Sequence, residues 1–216
     1  MTSHVSTITA IEPQKKRGSR RSIFVDGEFV AGVHEDVVAA LNLGVGQTLD
    51  RSRLVELVRA ETARKARGSA LRLINYRDRS ISEIRKRLSA NEFPEDIVDE
   101  VVDQLSRAGL VDDRKFSRDW VKSRTTGKPM GKARLAWELR SKGVEPRVVE
   151  EALEDLDEDA EYELALSVAA AKMYKADRED PTLKDRLSSF LRRRGFGWAV
   201  ITRVIENTCP ESQDSQ

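Results

Sequence analysis

What this sequence has little of narrows it first. It holds a single cysteine, Cys209, in 216 residues, so no disulfide can close within the chain. Its two histidines, His4 and His34, both lie in the N-terminal part, which leaves no His/Cys set for a metal and no cofactor expected. Aromatic residues make up 6% and all hydrophobic residues 39%, enough for thin cores but not for one thick globule. No apolar run approaches the roughly 20 residues that a membrane-spanning helix needs. The first ten residues lack a charged start followed by an apolar stretch, so no signal peptide is expected. The chain reads as soluble, cytoplasmic and free of membrane. Net charge is nearly absent too, at +1.

That balance hides unequal blocks. Residues 1–90 carry 17 Lys/Arg against 10 Asp/Glu, residues 91–166 carry 12 against 20, and the remainder 9 against 7. A basic end beside an acidic middle suits a partner that itself displays both signs, such as a protein–DNA filament.

The N-terminal third reads as strands and then helix. Thr7–Ile11 alternates, and Ile23-Phe24-Val25 and Phe29-Val30-Ala31 flank Asp26-Gly27, the strongest short hairpin signal. Lys15–Arg21 between them reads as a basic loop. A helix from about Glu35 to Leu43 is expected to stop at Gly44, and Asp50 stands where it can cap the next. The helical period then continues through Leu54, Leu57, Val58, Leu71 and Ile74, with a kink or break expected at Arg67-Gly68-Ser69.

Beyond Ala70 the pattern repeats. Ile84-x3-Leu88-x4-Phe93 lies over Leu135-x3-Leu139-x4-Val144 and over Leu187-x3-Leu191-x4-Phe196, at offsets of 51 and 52 residues. The register continues through Ile97, Val148 and Val200, and through Val98, Val149 and Ile201. Each unit is therefore a helix, a turn and a second helix, with Gly143 or Gly195 placed for the left-handed end of the first and Glu92 in that position in the first unit. Pro94 and Pro146 stand where the following helix starts. A further helix precedes each pair: Leu71–Tyr76, Lys115–Arg124 and roughly Ala160–Lys175. Phe116 and Trp120 give the second of these its core face, and Trp137 and Trp198, on repeat helices, are expected to pack in cores.

The expected fold is mainly α: three tandem three-helix repeats in a curved, elongated array after a small N-terminal β-hairpin and helix region. The expected divisions are 1–66, then repeats over 67–111, 112–157 and 158–209, and a disordered tail over 210–216.

No catalytic motif stands out. Asp112-Asp113 has no His or Cys beside it and precedes the Phe116/Trp120 helix, so helix capping is favoured over acid–base or metal chemistry. Gly131-Lys132 is followed by Ala133, with no hydroxyl for a phosphate loop's magnesium, and Thr126 stands where that loop needs its first glycine. The chain is not expected to be an enzyme.

Four ordered stretches carry a resemblance. They are Arg79–Leu88 (R-S-I-S-E-I-R-K-R-L); Gly109-Leu110-Val111-Asp112-Asp113 with Phe116, Trp120 and Arg124; Pro129-x-Gly131-x-x-Arg134-Leu135-x-x-Glu138-Leu139-x-x-Lys142-Gly143-Val144; and Phe190-Leu191-x-Arg193-Arg194-Gly195-Phe196. The chain resembles the RecX family of bacterial recombination regulators over residues 7–206. What the resemblance implies is binding to RecA filaments on single-stranded DNA and inhibition of RecA recombinase, ATPase and co-protease activities, hence modulation of DNA repair and the SOS response. The RecA filament is the expected partner, with single-stranded DNA a second and the chain itself a monomer. An alternative is a helical module acting on DNA independently of RecA. Against that, the third helices are acidic, carrying Asp99, Glu100, Asp103, Glu150, Glu151 and Glu154, and phosphates repel them.

With such a partner, basic residues near helix ends become contact candidates. They are Arg77, Arg79, Arg85 and Lys86 in the first unit and Lys122, Arg124, Lys132 and Arg134 in the second. Arg192, Arg193 and Arg194 in the third also complement a helix dipole, which leaves two readings open there.

Overall fold

In a computed structural model, residues 5–14, 17–174 and 180–209 are described. The expected tail over 210–216 and the basic residues Lys15, Lys16 and Lys175 lie outside them. Two compact units emerge: residues 1–77 with 84–108, and residues 78–83 with 109–216.

The first unit begins with a sheet larger than a hairpin. Strands β1 (Val5–Gln14), β2 (Arg17–Val25), β3 (Glu28–His34) and β4 (Thr48–Asp50) run in the order β3-β2-β1-β4. The β2–β3 turn forms as the Asp-Gly pair dictates, with Asp26 at φ 50° and Gly27 at φ 82°. Arg17–Arg21 belong to β2 rather than to a loop, because β1 pairs Pro13 with Arg21 and Gln14 with Arg17. Ile8, Ile23, Val25 and Val33 turn inward onto Val37 of α1 (Glu35–Ala40) and onto Leu54 and Val58 of α2 (Arg51–Tyr76). Helix α1 ends short of Leu43, since Asn42 already takes the left-handed conformation at φ 50°.

Helix α2 is unbroken. Asp50 caps it, accepting from the Arg53 N–H at 3.0 Å. No break occurs at Arg67-Gly68-Ser69, because Ala66, Ser69 and Ala70 bury one face through that stretch. A mid-helix glycine costs only about 1 kcal/mol, which such packing overrides. The same helix thus serves the sheet with its first half and the first repeat with its second. Helices α3 (Ile81–Ala90) and α4 (Glu95–Arg107) complete that repeat around Ile84, Leu88, Val98, Val101 and Leu105.

The second unit holds α5 (Asp113–Gly127), α6 (Lys132–Ser141) and α7 (Pro146–Ala152), then α8 (Glu158–Met173), α9 (Leu183–Arg193) and α10 (Trp198–Thr208). Phe116, Leu135, Leu139, Val149 and Leu153 form one core, and Ala165, Leu187, Leu191, Phe196, Ile201 and Val204 the next. Among the described residues three repeats of three helices therefore follow the sheet, with α1 as a tenth helix.

The aligned turns are the same motif three times. The N–H groups of Phe93, Val144 and Phe196 donate to the carbonyls of Leu88, Leu139 and Leu191, at 3.3, 3.2 and 3.3 Å. Glu92, Gly143 and Gly195 before them sit at φ 61°, 75° and 84°. This is the Schellman ending, in which a left-handed residue lets two N–H groups fold back on the last helical carbonyls while an apolar residue re-enters the core.

Candidate interaction surface

The charged groups of the repeats divide into those that build the structure and those that face solvent. Two backbone seats do much of the building. In one, the Ser80 hydroxyl donates to the Lys142 carbonyl at 2.6 Å while the Ile81 N–H donates to Asp113 Oδ1 at 2.8 Å. In the other, the Gly131 N–H donates to the Arg194 carbonyl at 3.0 Å while the Lys132 N–H donates to Glu161 Oε1 at 2.8 Å. Offsets of 51 and 52 residues relate their helix starts and turns, and 48 their carboxylates: a helix start receives a Schellman turn and a carboxylate from the chain that follows. The turns approach so closely that a Cβ on Gly143 would collide with Ser82, and one on Gly195 with Arg134. At the start of α9 no such turn arrives among the described residues; instead Asp180 accepts from the Thr182 N–H at 2.8 Å and pairs with Arg186.

Asp112 and Asp113 therefore cap different helices. Asp112 accepts from the Arg114 and Lys115 N–H groups and starts α5, and Asp113 reaches α3. Burial pushes the Asp113 carboxyl above its usual range, with Asp112 and Glu83 adding to the effect and the Ile81 N–H opposing it. Folded, the group holds its proton more tightly than unfolded, so its contribution to stability falls as pH rises from the ordinary carboxylate range through that raised value. Asp113→Asn keeps an oxygen for Ile81 and removes the charge. Urea denaturation at pH about 4, within the ordinary carboxylate range, and at about 7, above it, should show the variant losing this pH slope and at least as stable as the parent near neutrality. A less stable variant at neutral pH would refute this account.

A second cluster centres on Glu138, only 8% exposed on α6. Its Oε2 accepts from Trp120 Nε1 at 3.0 Å and Arg124 Nε at 3.1 Å, and its Oε1 from Arg134 Nε at 3.3 Å. Lys142 lies over the Trp120 ring at 4.2 Å and pairs with Glu83 at 3.3 Å.

Seven or more of the eleven basic candidates have such work. Arg124 and Arg134 converge on Glu138, and Lys132 Nζ donates to the Leu156 carbonyl at 2.9 Å. Arg194 donates to the Pro129 carbonyl at 3.0 Å and covers Phe190. Arg85 pairs with Asp99. Arg77 ends α2, Arg79 stands just before α3, and neither is a free cation. Lys86, Lys122, Arg192 and Arg193 are exposed, with no side-chain hydrogen bond or ion pair among the described residues.

The tryptophans overturn their expectation. Trp137 is 57% and Trp198 70% exposed, so neither packs in a core. On α6 the inward positions are Leu135, Glu138 and Leu139, and Trp137 falls on the opposite face. Arg134 lies over its ring at 4.5 Å. Arg140, three residues on, is exposed and unpaired among the described residues. The exposed Trp137–Arg140 pair was missed because periodicity alone does not say which stripe faces in. Among the described residues no group of three or more His, Cys, Asp or Glu is placed to hold a metal, and no helix is long and apolar enough to cross a membrane.

Comparison with known proteins covers nearly the whole of this arrangement. Residues 6–50 match the family described as the regulatory protein RecX N-terminal domain. Residues 66–105, 112–153 and 159–205 match the first, second and third three-helix domains of RecX. The regulatory protein RecX of Clostridioides difficile (strain 630) is 30% identical over 199 residues, 92% of this chain and 93% of that protein. That of Mycobacterium marinum (strain ATCC BAA-535 / M) is 37% identical over 143 residues, 65% of this chain and 83% of that protein. A crystal structure of regulatory protein RecX superposes with a TM-score of 0.63 at 25% identity, covering 93% of this chain and 99% of that one. The fold is also that of RecX from Lactobacillus salivarius, with a TM-score of 0.62 at 21% identity over 68% of this chain and 97% of that one.

Proposed function

The chain belongs to the RecX family of regulatory proteins, and from that premise we propose that it binds RecA filaments on single-stranded DNA and inhibits RecA recombinase, ATPase and co-protease activities. DNA repair and the SOS response are the processes it would modulate, as a cytoplasmic monomer without enzymatic turnover of its own. One observation carries the reading: the N-terminal domain and the three three-helix domains of RecX follow one another in order between residues 6 and 205. The proposed domains are 1–66, 67–111, 112–157 and 158–209.

The structure offers a reason to prefer a filament over a DNA duplex read by a third helix. On α4 the acidic groups are already engaged: Arg59 of α2 pairs with Asp96 and, at 2.8 Å, with Glu100, and Arg85 with Asp99. The Arg59 hydrogen bond holds the Asp96 carboxyl below its usual range, so this face stays anionic at neutral pH and repels phosphate.

The test is single-strand-dependent ATP hydrolysis by RecA. Sub-stoichiometric amounts of this protein should lower the RecA rate, and the protein alone should hydrolyse nothing. An unchanged RecA rate at equimolar protein would exclude the proposal.

A further inference from the structure

We infer that the outer face of α6 binds single-stranded nucleic acid directly, a base stacking on Trp137 and a neighbouring phosphate meeting Arg140. The ring is prepared for this. Arg134 covers one face, and its Nε is fixed to Glu138, a buried carboxylate that also holds Trp120 and Arg124. With Arg134 over the ring, the residue is still 57% exposed, so aromatic surface remains in solvent for a base to cover. An exposed tryptophan costs free energy in water unless something covers it.

The surroundings favour nucleic acid over protein as the cover. Around Trp137 on the helix surface stand Ala133, Arg134, Arg140 and Ser141, with no exposed carboxylate and no second large apolar side chain. A protein-docking patch would need contiguous apolar area, as interface cores show. A lone aromatic among cations suits a strand that offers bases and phosphates in alternation. Positive charge continues nearby: Gly195 abuts the Arg134 backbone, and the helix ending in that turn carries the exposed Arg192 and Arg193. The inference deepens the filament reading by naming a surface for its single strand, and it can fail separately.

The experiment titrates the full chain, without RecA, with a short thymidine oligonucleotide at low salt, following tryptophan fluorescence. Binding with quenching is expected, and quenching should persist in Trp198→Phe and vanish in Trp137→Ala. Base stacking is worth about 1–3 kcal/mol, so Trp137→Ala should weaken binding roughly 5- to 150-fold. Arg140→Glu, at an exposed position, should leave helicity intact and reduce the salt slope by about 0.7, one phosphate contact on a single strand. A parent chain that binds no oligonucleotide yet inhibits RecA would overturn this surface and leave the filament reading standing. So would a Trp137→Ala chain that binds DNA as the parent does. If that variant keeps DNA binding and loses only RecA inhibition, the face docks protein and the inference is wrong.

Discussion

Gly195→Ala should lower stability by roughly 2–6 kcal/mol, seen as an earlier urea midpoint for the 109–216 unit. Two costs add. At φ 84° an L side chain is strained, typically by about 1–3 kcal/mol. The added methyl would also strike the backbone and Cβ of Arg134, and overpacking of that kind costs about 1–3 kcal/mol. Nothing flexible is available to yield, because the Arg134 N–H is itself tied to the Gly131 carbonyl at 3.1 Å. Gly109 is the control: its φ of 67° imposes strain, but nothing lies within 4 Å of an added Cβ. Gly109→Ala should therefore lose only the strain, about 1 kcal/mol. Equal losses at the two positions would mean that the seat on Arg134 contributes nothing.

Glu138→Ala should cost about 2–4 kcal/mol. Removing the carboxylate strands the Trp120 indole N–H, Arg124 and Arg134 at once, and an abandoned buried donor costs about 1–3 kcal/mol. Breaking a fully buried ion pair costs about 3–5 kcal/mol, but the Arg124 and Arg134 side chains are 36% and 44% exposed and water recovers part of that. Glu138→Gln should lose less, since the amide oxygen still accepts one of the three bonds. The same substitution frees Arg134 from its anchor, so oligonucleotide binding should weaken in Glu138→Ala even at temperatures where the fold persists. A variant as stable as the parent would show the cluster to be energetically neutral.

These residues also mark where sequence reasoning runs out. The three-fold register was legible because Ile84, Leu135 and Leu187 and their successors repeat at fixed offsets, and a Schellman turn favours the glycine found at 143 and 195 and the apolar residue found at 93, 144 and 196, although Glu92 departs from it in the first unit. The capping role of Asp112 was legible for the same local reason. Strand β4 was not, because Thr48–Asp50 is three residues long and pairs with Val5–Thr7, more than forty positions away. The continuity of α2 through Gly68 depends on tertiary burial of Ala66 and Ala70, which outweighs a local breaker. The basic candidates were visible as charges, but nothing local reveals that Lys132 serves a carbonyl 24 residues on. Arg134 with Glu138 at i, i+4 was a readable pair, yet the burial that makes Glu138 an anchor is a property of the packed helix.

One side of each bond in the two seats is a main-chain group: the carbonyls of residues 142 and 194, and the N–H groups of 81 and 132. Every amino acid supplies a carbonyl, and every one but proline an N–H. These four bonds themselves are thus indifferent to the side chains at the four positions, apart from the exclusion of proline at 81 and 132. The side-chain requirement of the seats falls on Ser80, Asp113 and Glu161, which supply the partner groups, and on the glycines at 131, 143 and 195. Surface residues elsewhere can diverge widely without touching either seat.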